Sequence, residues 1–346
     1  MKKIAFFDTK SYDKRFFNTA IEDYDYSITY FKAHLNENTV ELTDGFDAVC
    51  AFVNDDINEK VLDHLQEHQI DLIALRSAGY NNVDLKHAYK RVHIMRVPAY
   101  SPYSVAEHAM ALITSLNRKT HRAYYRTRDG NFSIEGLMGF DLHGKTAGII
   151  GTGKIGQCLI DILQGCGMRI VAYDPYPNKS YAEESGITYT DLQTLYRESD
   201  IISLHCPLTP ETYYLINEDA INNMKKGVLL INTGRGKLID TKALIEGLKK
   251  KKIGGAGLDV YEEEANYFFE DFSDSAISDD VLARLMTFPN VLITSHQAFF
   301  TQEALRDIAQ TTLRNIDDFF HDRRLENEIC YQCARKCVKP GKKRCW

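Results

Sequence analysis

Short apolar runs separated by polar segments of helix length recur along the chain. The runs are rich in Ile, Val and Leu, which is typical of parallel strands that helices cover on both faces. They form two sets, one before residue 100 and one after residue 145. The first set comprises Lys3–Phe7, Tyr26–Phe31, Ala48–Val53, Leu72–Arg76 and His93–Val97. The second set comprises Thr146–Ile150, Arg169–Tyr173, Ile201–His205, Val228–Asn232, Gly255–Leu258 and Val291–Ser295.

Helical periodicity fills the intervals and predicts two long helices, Ser104–Arg128 and Thr301–Asp322. We expect the chain to cross between lobes near Pro98–Pro102 and to return near Gln297–Thr301. The predicted fold is α/β, with two doubly wound parallel-sheet lobes and a cleft between them. The predicted domains are residues 1–100 with 298–330, residues 101–297, and a Cys-rich basic tail, 331–346.

Composition limits the class of protein. A chain of 346 residues is long for one core, and a net charge of −6 gives no electrostatic reason to bind nucleic acid or an anionic membrane. The apolar N-terminal run stops at Asp8, which is too short for a signal peptide, and no stretch approaches transmembrane length. We therefore expect a cytoplasmic protein with a small-molecule substrate, and neither nucleic acid nor membrane as a partner.

A glycine-rich turn follows the first strand of the second set. Gly151, Gly153 and Gly156 form a Gly-x-Gly-x-x-Gly pattern. In dinucleotide-binding folds these glycines permit a tight turn, close approach of a pyrophosphate, and close packing of a helix whose N-terminus binds the phosphates. The pattern alone also occurs in structural turns, but Asp174 lies 18 residues after Gly156 at the end of the next strand. Its carboxylate suits a ribose diol and would repel a phosphate there, so the predicted cofactor is NAD.

Four ionisable residues fall at or just beyond the carboxyl ends of strands in the second set. They are Arg235, Asp259, Glu264 and His296. Ligands of open parallel sheets bind at this edge. A guanidinium can grip a carboxylate and polarise a keto oxygen, an imidazolium can protonate that oxygen, and a carboxylate beside the imidazole orients it. Singly, His296 suits an interior histidine, Glu264 a solvated surface acid and Arg235 a phosphate ligand; together they indicate hydride chemistry on a 2-keto acid.

Several motifs, in order along residues 1 to about 329, are similar to the D-isomer-specific 2-hydroxyacid dehydrogenases, and most to their bacterial fermentative D-lactate-forming members. The motifs are Arg76-Ser-Ala-Gly-Tyr-Asn-Asn-Val-Asp84, Val97-Pro-Ala-Tyr-Ser-Pro102, Ala106-Glu-His108, Asn117-Arg-Lys-Thr-His-Arg-Ala-Tyr124, Gly151–Gly156, Ser203-Leu-His-Cys-Pro-Leu-Thr209, Asn232-Thr-Gly-Arg-Gly236, Leu258-Asp-Val-Tyr-Glu262 and Ser295-His-Gln-Ala-Phe299.

The resemblance implies that Arg235 binds substrate, that His296 is the acid/base and that Glu264 pairs with His296. It also implies that the first lobe is a flavodoxin-like substrate lobe, that the second is a Rossmann NAD-binding lobe, and that the two lobes close over cofactor and substrate. The residues that it places around the substrate are Ser77, Ala78, Gly79, Tyr100, Arg235, His296 and Phe299. Those that it places around NAD are Gly151, Gly153, Lys154, Ile155, Gly156, Asp174, His205, Cys206, Pro207, Thr212, Thr233, Gly234, Arg235, Asp259 and His296. Gly234 and Thr212 depart from the Ser and Asn that relatives often carry, which could alter NAD affinity.

The function that the resemblance implies is NAD-dependent reduction of pyruvate to D-lactate, with His296 as proton donor. A bulkier 2-keto acid, such as 2-ketoisocaproate or phenylpyruvate, is the nearest alternative, because one or two methylenes in a pocket decide only ~1–3 kcal/mol. An NADH-sensing regulator is a more distant alternative, since it would not need Arg235, Glu264 and His296 together. The family also implies a homodimer or homotetramer formed through the Ser104–Arg128 helix.

Cysteine usage divides in two. Cys50, Cys158, Cys166 and Cys206 are scattered through apolar or helical segments, and for Cys206 we expect a backbone contact to cofactor rather than nucleophilic catalysis. The other four, Cys330, Cys333, Cys337 and Cys345, lie in the last 17 residues. Four thiolates can hold Zn²⁺ or an iron–sulfur cluster, but their spacing matches no standard motif and few apolar residues surround them. The sequence alone therefore predicts no metal.

Overall fold

The computed structural model describes residues 1–264, 267–333 and 343–346. The strands within them are β1 Lys2–Phe6, β2 Tyr26–Tyr30, β3 Ala48–Ala51, β4 Leu72–Leu75, β5 His93–Met95, β6 Thr146–Ile150, β7 Arg169–Tyr173, β8 Thr188–Tyr189, β9 Ile201–Leu204, β10 Val228–Asn232, β11 Ile253–Leu258, β12 Val291–Ile293 and β13 Glu328–Ile329. The α-helices are α1 Ser11–Ala20, α2 Glu59–Glu67, α3 Leu85–Ala88, α4 Pro102–Arg118, α5 Thr120–Arg128, α6 Lys154–Gly165, α7 Lys179–Ser185, α8 Leu192–Glu198, α9 Glu218–Asn223, α10 Thr241–Lys249, α11 Asp280–Met286 and α12 Gln302–Phe320.

The chain divides into two compact units. Unit 1 is Met1–Ser101 with Phe300–Trp346, and unit 2 is Pro102–Phe299. These limits fall within two residues of the boundaries predicted between the two lobes. Of the residues predicted to form a separate tail, the described ones, 331–333 and 343–346, group with unit 1.

Unit 1 is built on a six-stranded sheet in the order β13-β5-β4-β3-β1-β2. All neighbours are parallel except β13, which runs antiparallel to β5. The two-residue period of β1 sends Phe6 into a core with residues of α1 and α12, while the next residue, Phe7, enters a second core with residues of α2. Both faces of this sheet are therefore covered by helices.

Unit 2 is built on a seven-stranded, fully parallel sheet in the order β12-β11-β10-β9-β6-β7-β8. Apolar residues of α4 and α6 cover one face, and those of α8, α9 and α10 cover the other. The strand order reverses at β6, between β7 and β9, and such a switch point is where ligands bind in doubly wound sheets. The predicted α/β architecture, with a Rossmann-type lobe that starts at β6, is confirmed.

The single helix predicted over Ser104–Arg128 is wrong. It is broken at Lys119, whose backbone adopts φ +51°, so that α4 ends and α5 begins there. The Lys119 ammonium donates 2.9 Å hydrogen bonds to the carbonyls of Gly136 and Met138, and the Asn117 amide pairs with both backbone groups of Phe140. The segment that contains Gly136, Met138 and Phe140 thus stabilises the break between α4 and α5. Helical periodicity does not predict this break.

The other differences are at strand ends. β8 and β13 have only two residues each, too few for a periodic pattern, and were not predicted. Several predicted strands end one to two residues early, because Val53, Arg76, Val97 and Ser295 already belong to the loops. Among the described residues, no helix combines the length and apolar character needed to cross a membrane.

Candidate active site

The glycine turn of unit 2 joins β6 to α6 with little room for side chains. Gly151 has φ +97°, and a Cβ there would come within 2.7 Å of the backbone of His205 and Cys206. A Cβ on Gly156 would lie 2.1 Å from the carbonyl oxygen of Gly151. Two of the three predicted glycines are therefore required by close packing of the protein itself.

Gly153 differs, because nothing lies within 4 Å of a Cβ built on it. It is the N-cap residue of α6 and supplies no side-chain cap, so the N–H groups of the first helical turn, which begins at Lys154 and Ile155, face outward. The Thr233 hydroxyl at the end of β10 is buried and has no hydrogen-bond partner within the described parts of the chain. An exposed helix N-terminus beside an open glycine suits the pyrophosphate of a dinucleotide.

Asp174 ends β7 with its carboxylate held in place. Oδ2 accepts hydrogen bonds from the backbone N–H and the hydroxyl of Thr152, at 2.8 and 3.1 Å, and Oδ1 accepts one from Tyr176 N–H at 2.9 Å. An ionised carboxylate offers about four lone-pair sites, so acceptor capacity is left for a ribose diol. The geometry fits the predicted cofactor role.

The end of β9 lies against the glycine turn. Burial raises the pKa of the Cys206 thiol to about 11 and lowers the pKa of the His205 imidazole to about 4. A thiol with such a pKa stays protonated at neutral pH and is a poor nucleophile, in keeping with the expected backbone role. The Thr212 hydroxyl donates to the carbonyl of Pro207 at 2.7 Å and so shapes the loop after Cys206.

Arg235 follows β10 through a turn that Asn232 fastens. The buried Asn232 amide donates to the carbonyl of Arg235 at 2.8 Å and accepts from Gly234 N–H at 3.0 Å. The Arg235 guanidinium donates to the Gly234 carbonyl at 2.7 Å and makes no ion pair with any described residue. A positioned cation without a carboxylate partner suits an anionic ligand. Asn232 was not predicted, since its role depends on the turn's three-dimensional path.

His296 and Glu264 are brought together. His296 Nδ1 lies 3.0 Å from Glu264 Oε1, and the other carboxylate oxygen accepts from Tyr261 N–H at 3.1 Å. Their side chains are only 18% and 25% exposed, so the pair is shielded but reachable. With Nδ1 on the carboxylate, Nε2 is left to exchange a proton with a ligand. The predicted pairing of these two residues is present in the structure.

Asp259 underlies the loop that carries His296. Its carboxylate is fully buried and accepts from the N–H groups of Gln297 and Ala298, at 2.9 and 2.8 Å, and from the Thr294 hydroxyl at 2.5 Å. His108 Nε2 lies 3.3 Å from the same carboxylate. His296 itself has φ +51°, a conformation uncommon outside glycine, which these bonds hold. Asp259 thus positions the His296 loop, with Thr294 and His108 as partners that sequence reasoning missed.

The predicted substrate residues of the first lobe lie in unit 1. Ser77, Ala78 and Gly79 follow β4, and their loop is fixed by hydrogen bonds from Ser77 Oγ to the Gly79 carbonyl and from Arg96 to the Ala78 carbonyl. Tyr100 lies near the end of the first segment of this unit, whereas Phe299 is the last residue of unit 2, buried at 8% exposure near Phe269.

Arg76, just before this loop, is a buried cation that sequence reasoning missed. It is 2% exposed and lies between the rings of Phe6 and Phe52, 4.5 and 4.6 Å from their centroids. It donates to the carbonyl of Asp8 at 2.6 Å and lies 3.5 Å from the Asp13 carboxylate. Buried charges need such partners, so this network anchors the start of the Ser77 loop.

Comparison with known proteins agrees with this geometry. Residues 110–298 match the family described as D-isomer specific 2-hydroxyacid dehydrogenase, NAD binding domain. The D-lactate dehydrogenase of Escherichia coli K12 is 52% identical over 328 residues, which cover 94% of this chain and 99% of the relative. The apo-structure of the Escherichia coli enzyme has a TM-score of 0.87 at 51% identity, over 94% of this chain and 99% of that one.

A solved structure with cofactor is also similar. The NAD-complexed form of a D-isomer specific 2-hydroxyacid dehydrogenase from Lactobacillus delbrueckii ssp. bulgaricus has a TM-score of 0.78 at 32% identity, over 95% of this chain and 100% of that one. The family match and this likeness confirm NAD as the predicted cofactor.

Proposed function

Because the chain belongs to the D-isomer-specific 2-hydroxyacid dehydrogenase family, we propose that it is an NAD-dependent D-lactate dehydrogenase that reduces pyruvate to D-lactate. The single observation that carries the proposal is the 3.0 Å pair of His296 Nδ1 and Glu264 Oε1, on the NAD-binding unit. High identity to a D-lactate dehydrogenase over nearly the whole chain supports this substrate.

The chain's own residues divide the chemistry among them. The glycine turn, the first turn of α6 and Asp174 would hold NADH, which would supply the hydride. Arg235 presents N–H donors that bind the carboxylate of the substrate and polarise its keto oxygen. His296 holds the reacting proton at Nε2 and delivers it to that oxygen, while Glu264 fixes the ring through Nδ1 and stabilises the imidazolium before transfer. Asp259 keeps His296 in place through the backbone of its loop.

Further site residues belong to the same proposal. The backbone of Ser77, Ala78 and Gly79 binds the substrate carboxylate, and Tyr100 and Phe299 line the side-chain pocket. The remaining predicted cofactor contacts, including Pro207 and Thr233, border the dinucleotide. The family resemblance supports these roles, and the rigid hydrogen bonding of the Ser77 loop and of the turn at Arg235 is consistent with them.

The test is NADH oxidation, followed by absorbance, with pyruvate, 2-ketobutyrate, 2-ketoisocaproate and phenylpyruvate. We expect pyruvate to have the highest kcat/KM and chiral analysis to identify D-lactate as the product. His296→Ala should lower kcat roughly 10²–10⁴-fold, because it removes the proton donor. His321→Ala, at an exposed histidine of unit 1, is the matched control and should keep full activity.

Other outcomes would redirect the assignment. A higher kcat/KM for 2-ketoisocaproate or phenylpyruvate would keep the family and change the substrate. Binding of NADH without turnover of any keto acid would indicate a sensor. Full activity of His296→Ala would refute its role as proton donor.

We also propose that the chain acts in the cytoplasm as a homodimer or homotetramer. Six large apolar side chains in residues 103–138 are more than half exposed, and such a concentration is typical of an interface. They are Tyr103, Tyr124, Tyr125, Phe132, Ile134 and Met138. These residues lie in or just after α4 and α5. The family resemblance places the subunit interface in this region.

A further inference from the structure

Three cysteines of the C-terminal region converge in space. The Sγ atoms of Cys330, Cys333 and Cys345 lie within 4.8 Å of one another, and those of Cys330 and Cys345 are 3.2 Å apart. Zinc binds thiolates tetrahedrally at about 2.3 Å, which places the sulfur atoms about 3.8 Å from each other. The cluster therefore already has the dimensions of a thiolate metal site.

The first two of these cysteines come from the edge of the unit 1 sheet. Cys330 directly follows β13 and is 4% exposed. Cys333 N–H donates to the carbonyl of Cys330 at 3.2 Å, which closes a tight turn. A Cys-x2-Cys turn of this kind points both sulfur atoms to one side, as in structural zinc sites.

Protein contacts hold the third cysteine in this place. The buried Glu328 carboxylate accepts from Cys345 N–H at 2.6 Å and from His93 Nδ1 at 2.5 Å. The ring of Trp346 stacks on His93 with centroids 4.0 Å apart and planes 5° from parallel. The C-terminus is thereby anchored to β5 and β13, and Cys345 is presented to Cys330.

Residues 343 and 344 add to this anchoring. Leu325 N–H donates to the carbonyl of Lys343 at 2.8 Å, and the Lys343 ammonium lies 2.8 Å from Asp322. The Arg344 guanidinium sits 4.8 Å from the ring centroid of Phe319. Such preorganisation lowers the entropic cost of assembling a metal site from distant ligands.

Binding of a metal requires the cysteines to be thiolates. A divalent cation with affinity for sulfur binds them by displacing the thiol protons. The net charge of the tail is no obstacle, since it is rich in Lys and Arg, and thiolates would neutralise part of this charge.

We propose that Cys330, Cys333 and Cys345, in their reduced form, bind one zinc ion that fastens the C-terminus to unit 1. Binding releases the three thiol protons and leaves a fourth coordination position for a further ligand. Cys345 is disulfide-bonded in the structure, so a low-molecular-weight thiol must first reduce that bond to two thiols and is itself oxidised to a disulfide. Cys337, the fourth cysteine of the tail, lies outside the described residues. The spacing alone predicts no metal; the proximity of the three sulfur atoms in the fold is the reason to propose one.

Metal content tests the site directly. The full chain, purified in the presence of a thiol reductant and dialysed against limiting Zn²⁺, should retain one zinc per chain by elemental analysis. Ser substitutions of Cys330, Cys333 and Cys345 should each lower retention at least tenfold, and Cys166→Ser, in unit 2, should not change it. Co²⁺ in place of Zn²⁺ should give a thiolate-to-cobalt charge-transfer band that these three substitutions remove.

Trp346 gives a second readout that does not depend on catalysis. It is the chain's only tryptophan, so fluorescence excited beyond the tyrosine absorption reports the docked C-terminus alone. In the reduced wild type, we expect a strong chelator to shift the Trp346 emission and added Zn²⁺ to restore it. Neither treatment should change the emission of Cys345→Ser.

Three results would overturn the proposal. The first is reduced wild-type chain that retains no more zinc than a variant with all three cysteines replaced by Ser. The second is zinc retention in each of the three single variants that equals that of the wild type. The third is a chain that re-forms its disulfide in the presence of Zn²⁺, as shown by mass spectrometry, in which case the cluster is a disulfide site and not a metal site.

Discussion

Asp259 shows how a residue at a strand end acts through the backbone. Its position after β11 predicts a cofactor contact, yet each of its carboxylate oxygens accepts a hydrogen bond from the backbone of the His296 loop. It is fully buried, with Thr294 and His108 as further partners. We therefore assign Asp259 a positioning role, in addition to any contact with NAD.

Asp259→Asn separates the two roles. The amide cannot accept from both N–H groups as the carboxylate does, so the His296 loop should loosen. We expect kcat to fall roughly 10–100-fold, the range for loss of a supporting hydrogen bond, while the Kd for NADH changes little. Steady-state kinetics measures kcat, and NADH fluorescence titration measures the Kd. Asp219→Asn, at an exposed acid of α9, is the control, and a Kd that rises in step with the kcat loss would favour a direct cofactor contact.

At this scale the sequence is informative for groups that carry charge and stand at strand ends. Arg235, Glu264 and His296 could be proposed as candidates because strand ends share one edge of a sheet and the residue types match the chemistry; the structure brings Glu264 and His296 together. Asn232, Thr294 and His108 could not be proposed. Thr294 and His108 act through hydrogen bonds or close contacts to Asp259 that form only in the folded chain. Asn232 acts through the path of its own turn, and no spacing along the chain encodes any of these contacts.

The turn between β6 and α6 contains glycines with two distinct functions. Gly156 is required for helix packing, since a Cβ there would lie 2.1 Å from a backbone oxygen. Gly153 has open space and an extended backbone, φ −67°, that alanine can adopt. The structure therefore separates the fold requirement from the ligand requirement within one motif.

Two alanine variants should reveal that separation. Gly156→Ala should lower the free energy of unfolding by about 1–3 kcal/mol, through overpacking. Gly153→Ala should leave the Tm unchanged but raise the Kd for NADH about tenfold or more, because its methyl group occupies the path of the pyrophosphate. Thermal unfolding and NADH titration of both variants provide the comparison. A destabilised Gly153→Ala with unchanged NADH affinity would contradict this assignment.

The loops at the ends of β1, β3 and β4 share a buried charge network that gives unit 1 a pH dependence. Burial raises the pKa of Asp55 to about 6, although Arg76 and the N–H groups of Phe52 and Leu35 act to lower it. The folded state therefore binds a proton more tightly than the unfolded chain, where the pKa is near 3.8. The contribution of Asp55 to the free energy of unfolding is therefore complete below about pH 4 and is lost as the pH rises to about 6.

Asp55→Asn should remove this dependence. Between pH 4 and pH 7, the free energy of unfolding of the wild type should fall by up to about 3 kcal/mol because of Asp55. The variant should lack this decrease, whatever its overall stability. Urea unfolding followed by Trp346 fluorescence reports unit 1 specifically, because Trp346 belongs to that unit. Parallel pH profiles for wild type and variant would show that Asp55 is ionised in both states.

Element prediction from the sequence succeeded where periodicity is long and failed where structure is short. The predicted β6, β7 and β10 have the observed bounds, because their apolar patterns are bordered by Gly or charged residues. The break at Lys119 was missed, since a lysine in a left-handed conformation is held by partners in the distant 136–138 segment. Tertiary contacts of this kind override local propensity.

For the molecule as a whole, the exposed apolar surface of residues 103–138 argues for association with a second copy. Phe132, Ile134 and Met138 are 77%, 84% and 87% exposed in the single chain. Groups of this size remain in water only at a cost of about 1.5–3 kcal/mol each relative to burial.

Replacing Phe132 and Ile134 together with Lys should convert the oligomer to monomers, because burying two ammonium groups in an apolar interface is unfavourable. Light scattering after size-exclusion chromatography gives the mass of each species. Met286→Lys, at an apolar side chain 56% exposed on α11, is the control and should keep the wild-type mass. A wild-type chain that is itself monomeric would refute the proposed assembly.

Because unit 1 consists of two chain segments, its second segment is synthesised only after all of unit 2. The ribosome completes all 198 residues of Pro102–Phe299 before it makes α12, which covers one face of the unit 1 sheet. At about 5–20 residues per second, that interval lasts roughly 10–40 s. Unit 2 emerges as one uninterrupted stretch and can fold during synthesis. The N-terminal strands must wait for the last segment, and until then the part of the Phe6 core that α12 covers stays exposed on the nascent chain.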